Sequence, residues 1–107
     1  MATWTIDKSA DRLTRQATDE EGKIIGKVVQ LGVGNYRAFA YDPSEKGKNK
    51  MRDIGGRQLY RDAKQLVMAT NAIRVAWERE EAKRGKLSDA EKAVIAQEAM
   101  YNFVRGM

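Results

Sequence analysis

At 107 residues, with 42% hydrophobic and 33% charged side chains, the chain fits a single domain (1–107) able to bury one core. It has no cysteine and no histidine, which excludes thiol nucleophiles, imidazole acid–base work, haem ligation and the usual structural zinc. Twenty basic residues face 15 acidic ones, a net charge of +5, and the longest runs of Val, Leu and Ile are pairs, far from the roughly 20 apolar residues of a membrane span.

The first residues, Met1 to Lys8, have no basic region followed by an apolar stretch, so no secretion signal is expected and the expected location is cytoplasmic. Thr3 to Ile6 predicts a short strand with Trp4 and Ile6 on one face. Arg12 to Thr18 suits either a strand or one weak helical turn, and the strand is preferred because Asp19-Glu20-Glu21-Gly22 suits a hairpin loop into Lys23–Leu31. Gly32-Val33-Gly34-Asn35 then reverses the chain into Tyr36–Tyr41, which Asp42-Pro43-Ser44 ends. Met51 to Ile54 adds at most a short edge strand.

After Gly55-Gly56 the composition shifts to Ala, Leu, Arg, Lys and Glu, the strong helix formers. The spacing predicts a long helix from Arg57 to about Arg84, with Leu59, Ala63, Leu66, Thr70, Ile73 and Trp77 as its apolar stripe and Tyr60 and Val67 on its flank. Gly85 suits a left-handed helix end, and Ser88 with Glu91 three residues later is a capping box for a second helix. The inward side of that helix is predicted as Ala90, Ala93, Val94, Gln97, Met100, Tyr101 and Val104. Ile95 and Phe103 suit a second apolar side, a candidate protein interface or homodimer contact, and equally suit being wrapped into the one core. Strands first and helices after make the class α+β: an N-terminal antiparallel sheet of three to four short strands (1–54, mainly β), then a two-helix antiparallel hairpin (57–105) packed on it.

The charge is unevenly spread. Between residues 46 and 61 lie Lys46, Lys48, Lys50, Arg52, Arg57 and Arg61 against Asp53 alone, so this stretch carries +5 and the remainder balances at 14 against 14. A neutral body with one cationic segment attracts polyanions at one place. On a helix starting at Arg57, the side chains of Arg57, Arg61 and Lys64 share a face, and the diglycine before it offers an open helix start to an anion. Ordinary solvated surface guarding an edge strand is the competing explanation.

Strand alternation places Arg37, Phe39 and Tyr41 on one face and Tyr36, Ala38 and Ala40 on the other. An aromatic face with an arginine suits base stacking. The preferred assignment puts Phe39 and Tyr41 in the core beneath the long helix, although Ala38 and Ala40 equally suit a closely packed helix. The acidic groups Asp19-Glu20-Glu21 and Glu78-Glu80-Glu81 read as solvated surface, so no metal or cofactor is implied and no enzyme is expected.

Arg37-Ala38-Phe39-Ala40-Tyr41 resembles the first ribonucleoprotein motif of RNA-recognition domains, without its usual basic-glycine-aromatic opening. The order of three strands and a helix over residues 12–84 is similar, at the level of fold, to the three-stranded DNA-binding domains of phage integrase arms and AP2 proteins. Both resemblances imply a nucleic-acid partner, DNA or RNA, and the uneven charge and the β-face arginine supply its expected contacts: Lys46, Lys48, Lys50, Arg52, Arg57, Arg61, Lys64 and Arg37. The alternative expectation is a protein-binding inhibitor or adaptor whose basic patch meets an acidic protein surface. A small chain without active-site chemistry is similar in kind to phage anti-defence proteins such as the anti-CRISPR proteins.

Overall fold

The computed structural model describes residues 2–47 and 50–106. The chain is α+β, with β1 (Thr3–Ile6), β2 (Thr14–Thr18), β3 (Ile24–Gly32), β4 (Asn35–Tyr41) and β5 (Met51–Arg57) followed by α1 (Tyr60–Arg84) and α2 (Asp89–Arg105). It divides into two compact units, Met1–Met68 and Ala69–Met107, with the division inside α1.

The first unit is a five-stranded antiparallel sheet in the order β1-β2-β3-β4-β5, together with the opening turns of α1. Each strand therefore pairs only with its neighbours in sequence. The β2–β3 loop forms where the acidic turn was expected. Asp19 accepts from the backbone N–H groups of Glu21 and Lys23, each at 2.9 Å, and Gly22 takes the left-handed φ of 82° that closes the turn. Gly34, at φ 69°, does the same between β3 and β4.

Five strands form where three or four were expected, because β5 runs on through the diglycine to Arg57. Gly55 pairs with Ala38, Gly56 with Arg37 and Arg57 with Tyr36. Asp53 pairs with Phe39, so Ile54 is the extra residue of a β-bulge, and Gly55 takes φ 121° beside it. The bulge explains why the sequence looked broken here. It lets Asp53 stay exposed while Ile54 packs against the core. A second bulge at Ala17/Thr18 lets Ile25 and Val28 both be buried, although strict alternation would separate them.

The core is built from small side chains. Val28, Ala38, Ala63 and Val67 form its centre, flanked by Trp4, Tyr36, Ile54, Tyr60 and Leu66. Ala38 and Ala63 are 0% exposed. At Gly26 a Cβ atom would lie 2.3 Å from the Cγ1 of Val67, which shows how closely the helix approaches. The buried side of α1 is thus Tyr60, Ala63 and Val67, and Leu59, expected to lead that stripe, precedes the helix and is exposed. Burying Val67 alone stabilises the unit by about 1.5–3 kcal/mol.

In the second unit, Gly85 ends α1 at φ 81° and donates its N–H to Glu81 O at 2.9 Å. Ser88 caps α2 with the full reciprocal box: its Oγ accepts from Glu91 N, and Glu91 accepts from Ser88 N. These bonds, with Arg84 at 3.4 Å, hold the Glu91 carboxyl below its usual range. Trp77 Nε1 donates to the Lys92 carbonyl at 2.9 Å, joining the two helices. The outward face of α2 differs from expectation. Ile95 is only 8% exposed and Phe103 is half-buried, whereas Val94, Tyr101 and Val104 are each more than half exposed.

Candidate nucleic-acid interface

From Arg37 to Lys64 the sequence holds eight basic residues and four acids. Three of those acids each hold an arginine. Asp53 binds Arg37 at 2.8 Å, Asp42 binds Arg52 at 3.2 Å, and Asp62 lies 3.5 Å from Arg61. Lys46, Lys50 and Arg57 are exposed and make no ion pair among the described residues. Lys48 lies outside the described residues.

The connection into β5 is organised by Asp42. Its carboxylate accepts from the backbone N–H of Ser44 at 2.9 Å and from the Ser44 hydroxyl at 2.7 Å, while its own N–H donates to Lys50 O at 2.8 Å. Lys50 sits at φ 52° and reaches the Pro43 carbonyl at 3.5 Å, a weak contact that leaves its charge uncompensated. The terminal strand then carries Arg52 and Arg57 along its length, and Arg61 follows in the first turn of α1 with its side chain 75% exposed.

Two expectations about this region are corrected. The diglycine is part of a strand, so it presents no helix start to an anion, and α1 begins three residues after Arg57. Arg57, Arg61 and Lys64 consequently do not share one helix face. Arg57 belongs to β5, and Lys64 turns over the rings of Trp4 and Tyr60, at 5.5 and 5.7 Å from their centroids. There it joins a cluster in which Trp4 meets Tyr60 edge-on at 6.2 Å and Arg15 lies 4.2 Å above the Tyr60 ring. Burial pushes the Tyr60 hydroxyl above its usual pKa, and Arg15 opposes that shift.

The diglycine has another role. The Arg37 side chain lies across Gly56, where an added Cβ would sit 3.4 Å from Nη1. That course brings Arg37 Nε to both oxygens of Asp53, at 3.0 and 2.8 Å, while Gly55 N–H donates to Asp53 Oδ1 at 2.9 Å. Asp53 is accordingly held below the ordinary carboxylate range, first by Arg37 and then by the Gly55 N–H.

Phe39 and Tyr41 are not beneath the helix. Ala38 and Ala40 take that side, at 0% and 1% exposure, so alternation turns Arg37, Phe39 and Tyr41 to the opposite face of β4. On that face Lys27 is the direct cross-strand partner of Phe39, with Nζ 5.0 Å from the ring centroid. Lys23 Nζ lies 3.9 Å from the centroid of Tyr41. The sequence reading missed both lysines. Counting the ladder back from the Gly32–Asn35 turn would have set Lys27 opposite Ala40, and a register shift between Gln30 and Gly32 is what brings it opposite Phe39.

Among the described residues no group of three or more potential ligands could hold a metal, and no helix is long and apolar enough to cross a membrane. No protein-family model matches this chain, and neither a curated protein nor a solved structure matches it.

Proposed function

We propose that this protein binds nucleic acid without catalysing a reaction on it, holding phosphates along the β4–β5 connection, β5 and the first turn of α1. The observation that carries this reading is the charge ledger of that edge. Its acids are largely engaged with Arg37, Arg52 and Arg61, and Lys46, Lys50 and Arg57 remain as surplus cations on the sheet's terminal strand and the loop before it. An exposed strand edge with unopposed ammonium and guanidinium groups attracts a polyanion at a defined place and repels a second copy of itself. The contacts are to phosphates, so this edge reads no base sequence.

The test is binding of fluorescent mixed-sequence DNA and RNA at about 50 mM salt, where the electrostatic contribution is largest. Affinity should fall steeply as salt rises, and reversing the charges of Lys46, Lys50 and Arg52 should abolish it. Retention of neither nucleic acid at low salt rejects the reading.

A second reading, a protein-binding inhibitor or adaptor of the anti-defence kind, is favoured by the exposed stripe Val94, Tyr101 and Val104 on α2. It expects a defined protein to be recovered after nuclease treatment and lost when Tyr101→Glu interrupts the stripe.

A further inference from the structure

We infer that the face of the sheet bearing Lys23, Lys27, Arg37, Phe39 and Tyr41 takes single-stranded nucleic acid, with unstacked bases on the two rings and phosphates on the cations. The inference rests on the nucleic-acid reading above and narrows it from any nucleic acid to a single strand.

Large flat rings in a small sheet normally belong to its core. Here the core is on the other side, its centre filled by alanine, glycine and valine and its margin by Trp4, Tyr36 and Tyr60, so Phe39 and Tyr41 contribute little to it. Each is half-buried and carries a lysine ammonium over its ring. Neither lysine has an ion pair among the described residues. A cation resting on a ring at a solvated site is weakly held. When a strand arrives, the ammonium can swing to a phosphate and a base can take its place on the ring, so the two contacts exchange without stranding a charge. Arg37 adds to this. It commits Nε to Asp53, and its terminal amino groups make no hydrogen bond to an acceptor among the described residues. Those groups form a fork suited to a phosphate.

Spacing decides between strand types. Phe39 and Tyr41 are two residues apart on one strand face, about 6.7 Å along the chain. Stacked bases repeat at about 3.4 Å, and the base faces of a duplex are occupied by their neighbours. A duplex therefore cannot lay bases on these rings, whereas a single strand with splayed bases can place one on each.

The experiment is fluorescence anisotropy with a labelled 12-nucleotide oligo(dT), an oligo(U) of equal length and a 12-base-pair mixed duplex at about 50 mM salt. Both single strands should bind about tenfold tighter than the duplex, and a difference between them identifies RNA or DNA as the preferred source of the same chemistry. Phe39→Ala should weaken single-strand binding by about 5- to 150-fold, the range for losing one stacked base, and leave duplex binding unchanged. Phe39→Leu keeps apolar bulk at the same position and should give the same loss, with circular dichroism showing a native fold. Lys27→Ala should lower the salt slope for single strands by about 0.7. Equal affinity for duplex and single strands, or unchanged single-strand affinity in folded Phe39→Leu, overturns this inference and leaves the phosphate-edge reading standing. Binding of none of the three probes overturns both.

Discussion

On the side against α1 the sheet offers Ala17, Gly26, Val28, Ala38 and Ala40, while on the reverse the same strands offer Gln16, Lys27, Arg37, Phe39 and Tyr41. The first set is chosen for the small volume it leaves a helix, the second for what it presents outward. Ordinary hydrophobic ranking would reverse the assignment, since phenylalanine and tyrosine bury more apolar area than alanine. Close approach overrides that ranking. With Val67 seated against Gly26, no aromatic side chain fits at that point, and Trp4, Tyr36 and Tyr60 pack around the small centre instead. Polar and aromatic residues displaced from a core in this way are the ones free to acquire a function.

The largest effect that would break this contrast is on the covered side. Gly26→Ala drives its new methyl into Val67 Cγ1 and the Phe39 carbonyl, so a loss of about 1–3 kcal/mol is expected in urea unfolding. Gly32→Ala, where nothing lies within 4 Å, should stay within about 0.5 kcal/mol of the parent. On the other side the pattern should invert. Lys27→Glu should change stability by less than about 0.5 kcal/mol and weaken nucleic-acid binding about tenfold, read by anisotropy and thermal melting on one preparation.

Asp53→Asn sharpens the comparison further, because among the described residues it removes the only carboxylate found on Arg37. Affinity should rise a few-fold, and the salt slope should steepen by up to about one unit as the guanidinium becomes available to phosphate. A weaker complex would mean that Asp53 orients Arg37 instead of restraining it. The smallest effect is on pH. The Asp53 carboxyl is held below its ordinary range in the fold, so the stabilisation it gives is complete above that range and is lost as pH falls through the lowered value, below about pH 4. An NMR titration of the Asp53 carboxyl carbon in the parent and in Arg37→Gln should show the lowered midpoint return toward normal in the variant.

The sheet-then-helices order, the Asp19–Gly22 and Gly32–Asn35 turns, the Gly85 stop and the Ser88–Glu91 box were all readable from the sequence, because each depends on residues a few positions apart. What escaped depends on partners distant in the chain. The bulge at Ile54 disguises β5 as a strand that stops at a diglycine. The side of β4 that packs is settled by Val67, 27 positions beyond Ala40. In α2 apolar residues occupy both sides of the wheel, so periodicity could not say that Ile95 is covered while Val94, Tyr101 and Val104 are not. Lys23 and Lys27 went unnoticed because an isolated lysine in a strand carries no local signal, and only the register sets each beside a ring.

The consecutive strand order has a kinetic consequence. Every ladder of the sheet joins segments adjacent along the chain, so no crossover must be found before pairing can begin. Loop-closure entropy is therefore incurred over short spans, one hairpin after another, and low sequence separation of this sort belongs to fast-folding topologies. A nascent chain can zip its meander progressively as it emerges and needs only the opening turns of α1 to seal one side.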